Sequence, residues 1–241
     1  MSAASSASEQ RQECALADLT WPEAADRAGA GAVLAVPLGS TEQHGPHLPL
    51  STDTDLAQWL CLRLSGERDQ VVVAPPLGYG SSGEHAGFAG TLSIGQAALE
   101  LLLVELGRSA SETFDRMLLV SGHGGNAEPL RRAERRLRAE SRDVLGWLPR
   151  WNGDAHAGHS ETSMQLALAP GRVRLGRARP GNTRPIGELA AALREVGVAG
   201  LSENGVLGDP SGANAADGDR LLAGLLDDLV NAFDAWLGPA G

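Results

Sequence analysis

Apolar residues along this chain follow two alternating patterns: short unbroken runs, and longer stretches where they recur every three or four positions. The run AVLAVPLG at 32–39 predicts a buried strand, and 53–65, apolar at 56, 59, 60 and 64, predicts a helix. A second strand is expected at 71–76, where two prolines, unable to donate to a ladder, end it. A Gly-rich loop covers 77–95, and a long helix is expected over 96–114. Beyond it the pattern predicts strands at 116–122 and 143–149, and helices at 127–140, 160–169, 187–196 and 215–237. Asn126 stands where the helix at 127–140 wants an N-cap. Residues 170–186 and 205–214 read as irregular, and no internal repeat is visible.

Strands alternating with helices imply an α/β fold, a mostly parallel sheet covered on both faces. A chain of 241 residues suits one such domain, expected over 18–241, behind a flexible N-terminus over 1–17. Sites in these sheets form beyond the carboxyl ends of strands, here after Gly39, Pro76, Gly122 and Pro149. All six histidines fall in those places: His44 and His47, His85, His123, and His156 with His159.

Composition narrows the partners. The net charge of −10, with Arg supplying every basic side chain, argues against a broad nucleic-acid surface. Two cysteines, Cys14 and Cys61, are too few for a disulfide framework. The opening residues have neither the basic start nor the apolar core of a signal peptide, and no apolar run nears the ~20 residues of a membrane helix. A cytoplasmic protein without nucleic-acid or membrane partners is expected.

The segment GSTEQHGPHLPLSTDTD (39–55) carries the chemistry. Glu42 and His44 are two apart, so in extended backbone they share a face. Asp53 follows at a helix start, and His123 lies between glycines in VSGHGGN, where Gly124 lets backbone approach a ligand. Taken singly, Glu42 reads as a surface acid and His44 as a core histidine. Taken with Asp53 and His123 they read as ligands of Zn, Fe(II) or Mn rather than Ca. The loop at 77–95 is the expected pocket wall, with Glu84, His85 and Phe88 facing substrate. No G-x-S-x-G elbow is present, and GHGGN lacks the Lys-Ser/Thr ending of a phosphate loop. His47 and His159 read as supporting or surface residues, and Trp147 and Trp151 as core or pocket rim.

Four ordered motifs resemble the creatininase family: E-x-H at Glu42-Gln43-His44, an Asp nine residues later at Asp53, G-H-G-x-N at 122–126, and H-x-G-x-x-E-T-S at 156–163. The likeness runs from about residue 18 to 237. It implies a three-layer α/β/α fold with two divalent ions held by Glu42, His44, Asp53 and His123. Asp53 would bridge the ions, and a hydroxide between them would attack an amide carbonyl. It implies Glu161 as a further metal ligand or a proton carrier, His156 as catalytic acid or substrate-orienting group, and a homo-oligomer, a hexamer or similar ring. Two departures stand out. Creatininase itself has a Glu where this chain has Gly125, and a Trp-Asp pair where it has Asn152-Gly153; their loss argues against creatinine as substrate. Three stretches, 78–95, 153–163 and 204–218, resemble the branch of peptidases that act on the mycofactocin precursor, although Ala89 stands where that branch usually has Pro. That likeness implies release of a C-terminal Val-Tyr dipeptide from a modified peptide. The alternatives are hydrolysis of a small formamide or cyclic amide, and a non-catalytic metal-binding subunit.

Overall fold

The structure, a computed structural model, describes residues 14–150 and 153–238. Its first helix, α1 (Trp21–Gly29), is not among the elements that apolar periodicity predicts, because none of its residues is buried. Its signal is local: Thr20 and Glu23 form a reciprocal capping box, and a proline occupies the first turn. There follow β1 (Val33–Leu38), α2 (Thr52–Glu67), β2 (Val71–Val73), α3 (Gly95–Ala110), β3 (Arg116–Ser121) and α4 (Ala127–Ala139). The chain continues through β4 (Asp143–Trp147), α5 (His159–Leu168), α6 (Ile186–Val196) and α7 (Ala215–Leu237). Each predicted element is present; β2 is shorter than expected, ending before Pro75 and Pro76. The expected flexible stretch needs correction at its end. Residues 1–13 lie outside the described residues, but Ala15 pairs with Val73 at the sheet edge and Leu16 packs on the core.

The four strands form one parallel sheet in the order β2-β1-β3-β4. Alternation along β1 separates two cores. Leu34, Val36 and Leu38 face one side, with Leu99 and Leu103 of α3 and Leu130 of α4. Val33 and Ala35 face the other, with Leu60 of α2, Met164 of α5 and Phe233 of α7. Burial on both faces explains why the strands read as unbroken apolar runs. The arrangement is three-layered, α/β/α.

Parallel strands deliver all their carboxyl ends to one edge. Two glycines there let α2 come close. A Cβ on Gly39 would lie 2.3 Å from the Thr54 Cα, and one on Gly122 would lie 2.3 Å from the Asp53 carbonyl oxygen. The first turn of α2, with Asp53, is thereby wedged between the ends of β1 and β3. Among the described residues, no helix is long and apolar enough to cross a membrane.

Candidate metal centre

The site is assembled from five segments at that edge. Glu42 and His44, both fully buried, lie between β1 and α2. Asp53 is in the first turn of α2, and His123 directly follows β3. His85 enters from a 3-10 turn, Gly83–His85, after β2. His156 precedes α5, and Glu161 lies in its first turn. Asp53 divides its carboxylate: Oδ1 is 3.2 Å from His44 Nε2, and Oδ2 is 3.3 Å from His123 Nδ1. Glu42 Oε2 is 3.1 Å from His123 Nε2, and Glu161 Oε2 is 4.0 Å from His44 Nε2. Among the described residues, three sets of ligand atoms gather within 4.8 Å of one another: Glu42, Asp53 and His123; His44, His156 and Glu161; and Glu42, His85 and His156.

Carbonyl oxygens only accept, so they fix where the ring protons sit. His44 turns Nδ1 to the Glu42 carbonyl at 3.2 Å, which leaves Nε2 toward Asp53. His123 donates Nε2–H to the Ser81 carbonyl at 3.0 Å, leaving Nδ1 toward Asp53. His156 donates Nε2–H to the Gln43 carbonyl at 2.8 Å. The Gln43 amide spends its two hydrogens on Gly205 O (3.0 Å) and His85 Nδ1 (2.9 Å). Its nitrogen also lies 3.1 Å from His156 Nε2, a contact between two donors under this assignment. His85 is then protonated at Nε2, which faces Glu42 Oε1 at 3.3 Å.

Three carboxylates share this buried ground. Burial pushes Glu42 and Glu161 each up to about 7. Burial also opposes charge on Asp53, but His44 and His123 hold it well below its ordinary range. His44 is raised to about 10: burial works against its charge, and Asp53, Glu161 and Glu42 outweigh that. His85 is lowered to about 4 by burial, and burial holds His156 well below its usual value. His123 is likewise held well above its usual 6.5, against burial, by Glu42, Asp53 and Glu84, so the charge of the carboxylates favours positive charge at both His44 and His123. The decisive fit is Glu42, whose two buried carboxylate oxygens make no well-formed hydrogen bond among the described residues and meet only the imidazole edges of His85 and His123, at 3.3 and 3.1 Å. A buried carboxylate left so is costly unless an ion meets it. Oxygen and imidazole donors in this mixture suit Zn, Mn or Fe(II).

The remaining sequence expectations fall variously. Gly124 is exposed, with nothing near its would-be Cβ, and so borders open space. Glu84 lies with its Oε1 3.4 Å from His123 Nε2. Phe88 packs against Leu189, Val198 and Leu207, anchoring its loop. His47 is buried against Thr162 Oγ1 at 2.9 Å rather than on the surface, while His159 pairs outward with Asp217 at 3.0 Å. Trp147 is in the core, and Trp151 lies outside the described residues. Asn126 needs a correction: it precedes α4 but makes no side-chain cap. Its amide accepts from Ser81 N at 2.9 Å and donates to Gly39 O at 2.9 Å, tying the ends of β1 and β3 to the loop after β2. Sequence reasoning also passed over Gln43 and over Ser40, whose Oγ donates to Asp53 Oδ2 at 2.6 Å.

A family model described as creatininase, creatinine amidohydrolase, matches residues 17–233. The chain belongs to the creatininase family. Membership places it among the hydrolases of amide bonds. A mycofactocin precursor peptide peptidase of Mycobacterium ulcerans (strain Agy99) is 48% identical over 233 residues, 92% of this chain and 89% of that protein. A creatinine amidohydrolase of Pseudomonas putida is 32% identical over 200 residues, covering 66% of this chain and 74% of that one. A manganese creatininase structure superposes with a TM-score of 0.79 at 26% identity, covering 95% of this chain and 100% of that chain. A creatininase variant of Zn-Zn type gives 0.77 at 27% identity, covering 93% and 98%.

Proposed function

We propose that this creatininase-family chain is a peptidase that releases a C-terminal Val-Tyr dipeptide from a modified mycofactocin precursor peptide, using two divalent ions per subunit. The Glu42 carboxylate, buried without a well-formed hydrogen bond, beside a divided Asp53 supports two ions. Likeness to the M. ulcerans peptidase over 92% of the chain supports the substrate. One pole is assigned to Glu42, Asp53 and His123, the other to His44, Asp53 and Glu161. When bound, the ions supply a water acidic enough to act as nucleophile at neutral pH and polarise the scissile carbonyl.

The chain's own residues do the rest. The Glu42 and Ser81 carbonyls orient His44 and His123 so that their free nitrogens meet Asp53. Glu161 is steadied by Ala157 N–H at 2.5 Å. That contact uses a left-handed Ala157, φ 52°, an uncommon conformation for a residue with a side chain. His156, neutral and tied at Nε2, keeps Nδ1 open to take a proton and pass it to the leaving amide nitrogen. The loop at 77–95 walls the substrate path, His85 and Phe88 among its residues, with Gly124 at the opening. We expect a homo-oligomer, a hexamer or similar ring.

The test is mass spectrometry of a synthetic precursor peptide ending in Val-Tyr after incubation with metal-loaded protein. Loss of the dipeptide, absent with Asp53→Ala, is expected. Small formamides and creatinine run in parallel; turnover of these with the peptide left intact would replace the peptidase reading by the small-amide one.

A further inference from the structure

Gly125, in the G-H-G-x-N segment beside His123, has no side chain, and the structure shows what stands in the room a side chain would take. A Cβ on Gly125 would lie 2.3 Å from Ser81 O, 2.4 Å from Glu84 Oε1 and 2.4 Å from His123 Nε2. One of those neighbours is backbone, so no change of rotamer frees the space. Another is a carboxylate arriving from a different loop. Glu84 Oε1 lies 3.4 Å from His123 Nε2, the proton-bearing edge of that ring, flanking the Ser81 carbonyl at 3.0 Å and Glu42 Oε2 at 3.1 Å.

We propose that Glu84 is a positioning carboxylate for the His123 pole, acting from the loop after β2 in ground that Gly125 leaves clear. It faces the Nε2–H edge and so holds the ring with Nδ1 toward Asp53. Partners of this kind set the tautomer and basicity of a metal-binding histidine. Glu84 is itself clamped from an element remote from the sheet. Its carbonyl accepts from Val198 N at 2.8 Å, just past α6. Gly197, φ 66°, ends that helix, and a Cβ there would lie 2.9 Å from Glu84 O. Phe88, packed against the cluster of Leu189, Val198 and Leu207, anchors the same loop a few residues on. The inference rests on the metal centre proposed above but not on its substrate.

The test compares wild type with Glu84→Ala and Glu84→Gln. Ion affinities come from chelator competition, the coordination sphere from the visible spectrum of Co2+-loaded protein, and folding from thermal melting. Glu84→Ala is expected to weaken one of the two ions by roughly 10–100-fold while the other holds. Glu84→Gln, whose amide oxygen can still face the Nε2–H edge, should recover most of that loss. The Co2+ spectrum at saturation should match wild type. Unchanged affinities, or a changed KM for peptide with both ions intact, would overturn the proposal in favour of a substrate contact. A new Co2+ spectrum at saturation would overturn it in favour of direct ligation. Wild type that binds no metal ends both readings; wild type that binds metal and cleaves no peptide ends only the substrate reading.

Discussion

His44 Nε2 and Asp53 Oδ1 lie 3.2 Å apart, and that pair joins the loop after β1 to the first turn of α2. Side-chain-free Gly39 and Gly122 make the approach possible, since α2 passes over both with no room for a Cβ. Asp53→Asn keeps the shape and removes the charge that the two proposed poles would share. Bound metal should fall below two ions per subunit, and kcat/KM by at least about 100-fold, a scale that even outer partners of metal sites reach. Metal analysis after gel filtration checks the first and peptide kinetics the second. Full metal content in the variant would show that Asp53 is no bridge.

Proton inventory gives a second expectation. In the metal-free fold His44 is raised to about 10, and His123 well above its usual 6.5. Unfolded histidines titrate near about 6.5, so between about pH 7 and pH 10 the metal-free fold keeps protons that the unfolded chain has lost. These two groups therefore contribute stability that is full below pH 6.5 and fades as pH rises toward 10. Bound ions displace the same protons and remove that dependence. The urea midpoint of metal-free protein should fall across this window while that of loaded protein stays level. A rising metal-free midpoint would contradict the assignment.

The layers were legible because burial on both faces turns each strand into an apolar run, as in β1, and amphipathic spacing marks the helices over it. Helix α1 escaped that test because it buries nothing, although Thr20 and Glu23 announce it locally. Glu42, His44 and Asp53 were legible because they lie within one short segment. Asn126 and Gln43 were not. Asn126 looks like a local cap, yet its bonds reach residues 45 and 87 positions away. Gln43 reaches His85, 42 positions on, and Gly205, 162 positions on. No sequence period encodes contacts of that span; only the folded sheet edge creates them.

That makes Asn126 a structural prediction. Asn126→Ala would leave Ser81 N–H and Gly39 C=O unpaired in a buried place, at about 1–3 kcal/mol each. The expected loss is roughly 2–6 kcal/mol of unfolding free energy, read by urea titration of metal-free protein. A loss below about 0.5 kcal/mol, the level of an ordinary surface change, would mean the brace is not what holds the three segments together.

His156 separates proton transfer from ion binding. Its atoms fall in two of the three possible ligand groups, so geometry alone allows either role. The Gln43 carbonyl fixes its proton at Nε2 and leaves Nδ1, 3.9 Å from Glu42 Oε1, as the working atom. If it moves a proton, His156→Ala should lower kcat by about 10²–10⁴-fold while both ions stay bound. Burial, with His44 and His85 nearby, holds its pKa well below 6.5. The base form therefore persists into mild acid, and the acid limb that His156 contributes to the wild-type rate should lie below the pH of an ordinary histidine. Replacing Gln43 by Met removes the amide that orders His85 while the Gln43 carbonyl, being backbone, still holds His156. That variant should keep the ions and most of the His156 dependence. Loss of an ion on His156→Ala would make it a ligand instead.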